Sequence, residues 1–193
     1  MTESEWLSCR ESHEMLGFIR DKATERQLHS FSVACCRRIW QHITDERSRR
    51  AVDITQRGLD GQIEDSERLA AARGAADALQ DTFLSLDIRR GNGYLYHAAW
   101  AAALCSFTPQ VPLNTPIERH ELSGPFDCAV LIASHSAAAN AIAAVVHIEN
   151  KIEMHSKLDE ATKAEYAEQS SLLRAIFGNP CCPAQSGEPL MTT

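Results

Sequence analysis

The sequence lacks the short motifs that mark the common nucleotide-dependent and hydrolytic enzymes. It contains no G-x-G-x-x-G, no P-loop, no H-E-x-x-H, no G-x-S-x-G and no EF-hand loop. Each of these motifs fixes a group that its chemistry needs, such as a phosphate cradle, a zinc site or an exposed nucleophile. The sequence therefore assigns no catalytic residue, and it favours a protein that is not an enzyme.

An excess of basic charge is also missing. The 193 residues include 19 Lys and Arg against 26 Asp and Glu, which gives a net charge of −7 and a pI near 5.6. Nucleic acids are attracted by a positive field around a protein, so no nucleic acid is expected as a partner. The adjacent pairs Arg37–Arg38 and Arg49–Arg50 are predicted to lie on solvated helix faces, because acidic residues balance them in the N-terminal part.

The N-terminus, "MTESEWLSCRESHEM", has neither the basic region nor the apolar run of a signal peptide. The most apolar window, residues 128–148, is rich in alanine and includes His135, Asn140 and His147. It predicts a buried helix rather than a membrane span, and no membrane partner is expected. Seven cysteines without an export signal indicate reduced thiols and a cytoplasmic protein.

Alternating strand patterns are absent, and helical periodicity dominates what is present. The hydrophobic share of 44% and the charged share of 23% are ordinary for a globular domain. The pattern predicts helices over residues 3–8, 12–21, 24–44, 45–61, 65–86, 94–105, 126–157 and 159–177. We expect an all-α, single-domain bundle of about six to eight helices over residues 1–178, followed by a flexible tail at 179–193.

Two adjacent cysteines stand in the apolar stretch "FSVACCRRIW", residues 31–40. On a helix that begins after the capping box "TERQ", Cys35 points into the core and Cys36 lies near the edge of the apolar arc. A metal site is the alternative, through the pairs His29–Cys36 and Cys35–His42. Ligands seven residues apart are separated by about 10.5 Å along the helix, too far to share one zinc ion without further ligands.

His135 and Cys128 share the apolar face of the alanine-rich helix, which we expect to be the central helix of the bundle. A buried imidazole needs a hydrogen-bond partner, and a backbone carbonyl or a serine is predicted here. A ligand role for His135 is left open. The loop sequence "ERHE", residues 118–121, is a weaker cluster of carboxylates around an imidazole.

Two stretches carry a family resemblance. The N-terminal segment, with "EWLSC", "FSVACCRRIW" and "DERSRRAV", and the C-terminal "LLRAIFGNP" resemble a large paralogous family of uncharacterised proteins from planctomycete bacteria. The resemblance implies no reaction, cofactor or catalytic residue. Members of that family commonly continue after "GNP" into further helices, whereas this sequence reads "CCPAQSGEPLMTT". A partner or an exposed apolar patch is therefore expected.

The leading hypothesis is a non-enzymatic cytoplasmic module for interaction or regulation, with another protein or a second copy of the chain as partner. The alternative is a helical bundle that binds a metal or small ligand through buried His and Cys. Its candidate residues are His135, Cys128, His29, Cys36, Cys35 and His42. No cofactor is expected under the leading hypothesis, and zinc or iron would be expected under the alternative. Nucleic-acid binding through the N-terminal arginines is a third hypothesis.

Overall fold

A computed structural model describes residues 1–61, 63–86, 92–108, 111 and 124–181. Within these residues all regular structure is helical, which confirms the predicted all-α class. There is one 3-10 turn at Trp40–His42. The α-helices of the described ranges are α1 Glu3–Ser8, α2 Ser12–Ile19, α3 Glu25–Arg38, α4 Glu46–Leu59, α5 Asp65–Leu84, α6 Gly93–Cys105, α7 Pro125–Val145 and α8 Lys151–Phe177.

Local capping explains where α3 and α4 begin. The Thr24 side chain accepts a hydrogen bond from the Gln27 amide at 3.2 Å, and the Gln27 side chain accepts one from the Thr24 amide at 3.1 Å. This is the capping box that "TERQ" predicts. Asp45 caps α4 by accepting from the Arg47 amide at 2.8 Å.

The predicted helix over residues 24–44 is wrong at its C-terminal end, because α3 stops at Arg38 and a 3-10 turn follows. Tertiary contacts hold this turn. The Arg37 guanidinium lies 4.3 Å from the centre of the Trp40 ring, and Arg49 Nε donates to the Ile43 carbonyl at 2.6 Å. Helical periodicity alone does not report such contacts.

The predicted helix over residues 126–157 is also wrong, since the chain turns between α7 and α8. Asn150 caps the new helix: its side chain accepts from the Ile152 amide at 3.0 Å and from the Glu153 amide at 3.3 Å. Residues 151–157 therefore open α8, which packs against α7, and do not extend α7.

The alanine-rich α7 lies at the centre, in contact with α2, α3, α6 and α8. Its alanines Ala129, Ala133 and Ala137 are buried, which lets these helices approach closely. In the described part of the chain, α7 is also the one helix long and apolar enough to cross a membrane, with a mean hydropathy of 1.7. The 18-residue window of α7 that gives this hydropathy is 56% buried inside the bundle, as in a core helix.

The two stretches that carry the family resemblance meet in space. Trp6 Nε1 donates to the Gly178 carbonyl at 2.9 Å, and Arg174 Nη1 donates to the Cys9 carbonyl at 2.8 Å. The start of the predicted flexible tail belongs to this contact, because Asn179 donates to the Glu3 carboxylate at 2.6 Å. Residues 182–193 of the predicted tail lie outside the described residues.

Candidate functional site

The candidate thiols are buried between α3, α6 and α7. Cys36 Sγ lies 3.4 Å from the Ala101 carbonyl oxygen. A hydrogen bond with the Cys105 thiol, together with burial, raises the pKa of Cys36 well above its ordinary value. Burial also raises the pKa of Cys35 strongly and that of Cys128 to about 12. Such thiols stay protonated at neutral pH and are poor nucleophiles.

Two features of this thiol group differ from the sequence interpretation. Cys36 is predicted near the edge of the apolar arc, yet it is as fully buried as Cys35 because α6 covers it. Cys105 also belongs to this group, although it is not among the candidate residues that the sequence predicts; it ends the apolar run of residues 94–105.

All cysteines of the described ranges are free, and no three His, Cys, Asp or Glu side chains there converge closely enough to hold a metal ion.

His135 is buried, and one of its partners is another imidazole. The Nδ1 atoms of His135 and His97 are 2.9 Å apart, so one ring donates and the other accepts. The Trp100 ring stacks on His135 with centroids 5.5 Å apart and planes 7° from parallel. The prediction of a backbone carbonyl or serine partner did not foresee this pair, because His97 comes from α6, 38 residues earlier in the chain.

His42 lies in the 3-10 turn and faces α7. Burial lowers the pKa of His42, and a hydrogen bond with Asn140 opposes that shift. Asn140 Nδ2 in turn donates to the buried Glu165 carboxylate at 2.8 Å. The same carboxylate accepts from Arg38 Nε and Nη2 at 2.8 and 3.0 Å. Arg38, predicted to be solvated, is thus half of an ion pair with a buried glutamate.

His29 lines a cavity of about 400 Å³ between the start of α3, the end of α4 and the end of α6, here called the His29 cavity. Its apolar wall consists of Leu59, Ile63 and Phe107, and its charged side chains are Glu25, Arg26 and Arg68. Thr55 and Cys105 also line it. Apolar cavities of this size with a few convergent polar groups are the usual form of small-molecule sites.

Two of the side chains that line the His29 cavity are available to a ligand. Within the described part of the chain, neither the His29 ring nor the Arg26 guanidinium has a hydrogen-bond or ion-pair partner. The Arg68 guanidinium pairs with the highly exposed Asp65 carboxylate, at 3.5 Å. Burial lowers the pKa of His29, opposed by the Glu25 carboxylate and assisted by Arg68, so the ring is neutral at pH 7.

The structure therefore separates the six sequence candidates into different environments. Cys35, Cys36 and Cys128 pack in the core, and His135 pairs with His97. His42 joins the Asn140 network, and His29 alone faces the His29 cavity. The "ERHE" cluster at residues 118–121 lies outside the described residues, as does Cys182.

Comparison of the chain with protein-family models, with curated proteins and with solved structures found no match.

Proposed function

We propose that the protein is a non-enzymatic regulatory module that binds a small amphipathic anion in the His29 cavity. The observation that carries this proposal is the convergence of two arginines and a partner-free imidazole on one cavity with an apolar wall. The proposal joins the regulatory and small-ligand hypotheses that the sequence left open.

The chemistry of the lining selects the ligand. Guanidinium groups donate paired hydrogen bonds to a carboxylate or phosphate, and Arg26 and Arg68 supply them at this cavity. An apolar ligand body would pack on Leu59, Ile63 and Phe107, which gains free energy in proportion to the buried area. A ligand with an anionic head and a short apolar body satisfies both parts.

Charge makes the site distinctive within this protein. The chain carries a net charge of −7 and repels anions at long range. Two of the three charged residues that line the His29 cavity are arginines, so the local balance is reversed. Anion binding at this position therefore depends on Arg26 and Arg68, and not on the overall field.

Isothermal titration calorimetry tests the proposal with octanoate and phenyl phosphate as anionic probes and 1-octanol and phenol as neutral counterparts. We expect saturable binding of at least one anionic probe and at least about tenfold weaker binding of its neutral counterpart, since a charge-assisted pair contributes about 1.5–3 kcal/mol. Arg26→Gln and Arg68→Gln should each weaken the anion by about tenfold.

Arg73→Gln is the matched control, because Arg73 is an exposed arginine of α5 that does not line the His29 cavity. It should leave binding unchanged. Equal affinity for charged and neutral probes, equal weakening in all three arginine variants, or no saturable binding of either anion would overturn the proposal.

Association with another protein or with a second copy of the chain stays a prediction. The large apolar side chains most exposed in the described ranges, Leu7, Leu84 and Ile152, belong to three different helices. Size-exclusion chromatography with light scattering at two protein concentrations measures self-association directly.

A further inference from the structure

A second cavity, of about 480 Å³, lies near the start of α4, whereas the His29 cavity lies near its end. It is here called the Ser48 cavity. Side chains from the segment before α4, from α4 itself and from the end of α5 supply its polar lining, namely His42, Thr44, Asp45, Ser48, Asp81, Thr82 and Ser85. Leu95 and Ala99 of α6 form an apolar part of the wall.

Ser48 is the unusual residue of this cavity. It is 1% exposed, yet its Oγ has no hydrogen-bond partner among the described residues. A buried hydroxyl without a partner lowers stability, and most buried polar atoms avoid that state. A serine in this state on a cavity wall can donate to and accept from a ligand that enters the cavity.

The other polar groups of the Ser48 cavity mainly offer acceptors. The Thr82 hydroxyl donates to the Ala78 carbonyl at 2.7 Å, and the Ser85 hydroxyl donates to the Thr82 carbonyl at 3.0 Å, so their oxygens retain free lone pairs. The carboxylates of Asp45 and Asp81 are acceptors only. A lining with more acceptors than donors favours a ligand that carries several donor groups.

Both carboxylates of this cavity are already paired with a cation. Arg47 Nη2 bridges the two carboxylates, with 2.8 Å to Asp45 Oδ2 and 2.7 Å to Asp81 Oδ2. A ligand ammonium group would have to displace this guanidinium. The Asp45 carboxylate also accepts from the Arg47 amide at 2.8 Å and from Arg47 Nε at 3.1 Å, so ligand hydroxyls can donate to the remaining lone pairs of Asp81 while the Arg47 bridge stays in place.

We propose that the Ser48 cavity binds a neutral polyhydroxylated molecule of about monosaccharide size. Ser48 provides the buried contact, Asp81 accepts from ligand hydroxyls at the mouth, and Leu95 and Ala99 contact the carbon face of the ligand. This site is separate from the anion-binding function proposed for the His29 cavity, and neither depends on the other.

Ligand-observed NMR and titration calorimetry test the site with D-glucose, D-ribose and myo-inositol, and with putrescine as the amine. We expect saturable binding of at least one polyol and weaker binding of putrescine. Ser48→Ala should weaken the polyol by about 5–20-fold, the loss of one hydrogen bond to a ligand. Ser32→Ala is the control: Ser32 is equally buried, donates to the Leu28 carbonyl at 2.9 Å and does not line the cavity.

Asp81→Asn is a second test variant in case Ser48→Ala fails to fold. The Asp81 side chain is 62% exposed, so the substitution removes no buried contact. It should weaken the polyol and leave the fold intact. If none of the three polyols shows saturable binding, the cavity holds only water and the proposal is overturned. Equal weakening by Ser48→Ala and Ser32→Ala, or tighter binding of putrescine than of every polyol, would also overturn it.

Discussion

Two buried polar regions of this protein are built differently. On α8, the side chain of Gln169 accepts from Ser12 at 2.8 Å and donates to the Ala133 carbonyl and to Ser136, each at 3.0 Å. At the two cavities near the ends of α4, the Ser48 hydroxyl of α4 and the His29 ring of α3 have no such partner within the described ranges. Polar groups of the first kind hold helices together, and those of the second kind, placed on cavities, are available to ligands.

The largest effect should come from a second partnered group on α8, Glu165, whose carboxylate accepts from Arg38 and Asn140. Glu165→Ala leaves Arg38 without its buried partner, and loss of one half of a buried pair costs about 3–5 kcal/mol. Because the Arg38 side chain is 31% exposed, we expect about 2–4 kcal/mol in urea denaturation.

Glu168→Ala is the matched control for this variant. Glu168 also pairs with Arg38, at 3.2 Å, but its side chain is 60% exposed, so the loss should stay within about 0.5 kcal/mol. Equal losses in the two variants would show that the network around Glu165 does not hold the helices together.

The buried thiols should give an intermediate effect. Cys35→Ser places a hydroxyl in the core and should cost about 1–2 kcal/mol in the free energy of unfolding. Cys36→Ser should cost less, because its hydroxyl can still donate to the Ala101 carbonyl that lies 3.4 Å from Sγ. Cys181→Ser, at an exposed position, should have no measurable effect.

The metal hypothesis predicts another pattern for the same cysteine variants. Equal and large losses in Cys35→Ser and Cys36→Ser, with chelation lowering the stability of the wild type to the same level, would indicate coordination rather than packing.

The smallest effect is a pH dependence at the His29 cavity. Burial holds the pKa of folded His29 below its unfolded value of about 6.5. As the pH falls through that value the unfolded chain takes up a proton first, so stability is lost as the pH falls toward the lower, folded pKa. His29→Gln should lose less stability than the wild type between pH 7 and pH 5 in urea denaturation.

The pH dependence of anion binding is a second test of the role of His29. Octanoate would stabilise the protonated imidazole, so its affinity for the wild type should rise as the pH is lowered from 7 toward 6, and the rise should be absent in His29→Gln. Identical pH profiles of the two proteins, with and without octanoate, would contradict the role assigned to His29.

Much of the fold follows from local signals in the sequence. The capping groups Thr24 and Asp45 set the starts of α3 and α4, and helical periodicity places five of the eight helices of the described chain within about two residues at both ends. The turn between α7 and α8 also had a local signal, Asn150 followed three residues later by Glu153, which the continuous helical pattern obscured.

The candidate sites were less predictable because they depend on long-range packing. Cys35 could be placed in the core, since it lies on the apolar face of its own helix. The pairs His97–His135 and Arg38–Glu165 join residues 38 and 127 positions apart, and nothing in the local pattern of either partner specifies the other. The two cavities each need side chains from three or more elements, so only their individual residues could be singled out.

The most direct test of the distinction between partnered and unpartnered polar groups compares two fully buried serines. Ser12→Ala removes the partner of Gln169 Oε1 and should lower the free energy of unfolding by about 1–3 kcal/mol in urea denaturation. Ser48→Ala should leave it within about 0.5 kcal/mol of the wild type or raise it, because no bond among the described residues is lost. A loss at Ser48 as large as that at Ser12 would show that Ser48 serves the fold, and would contradict the account.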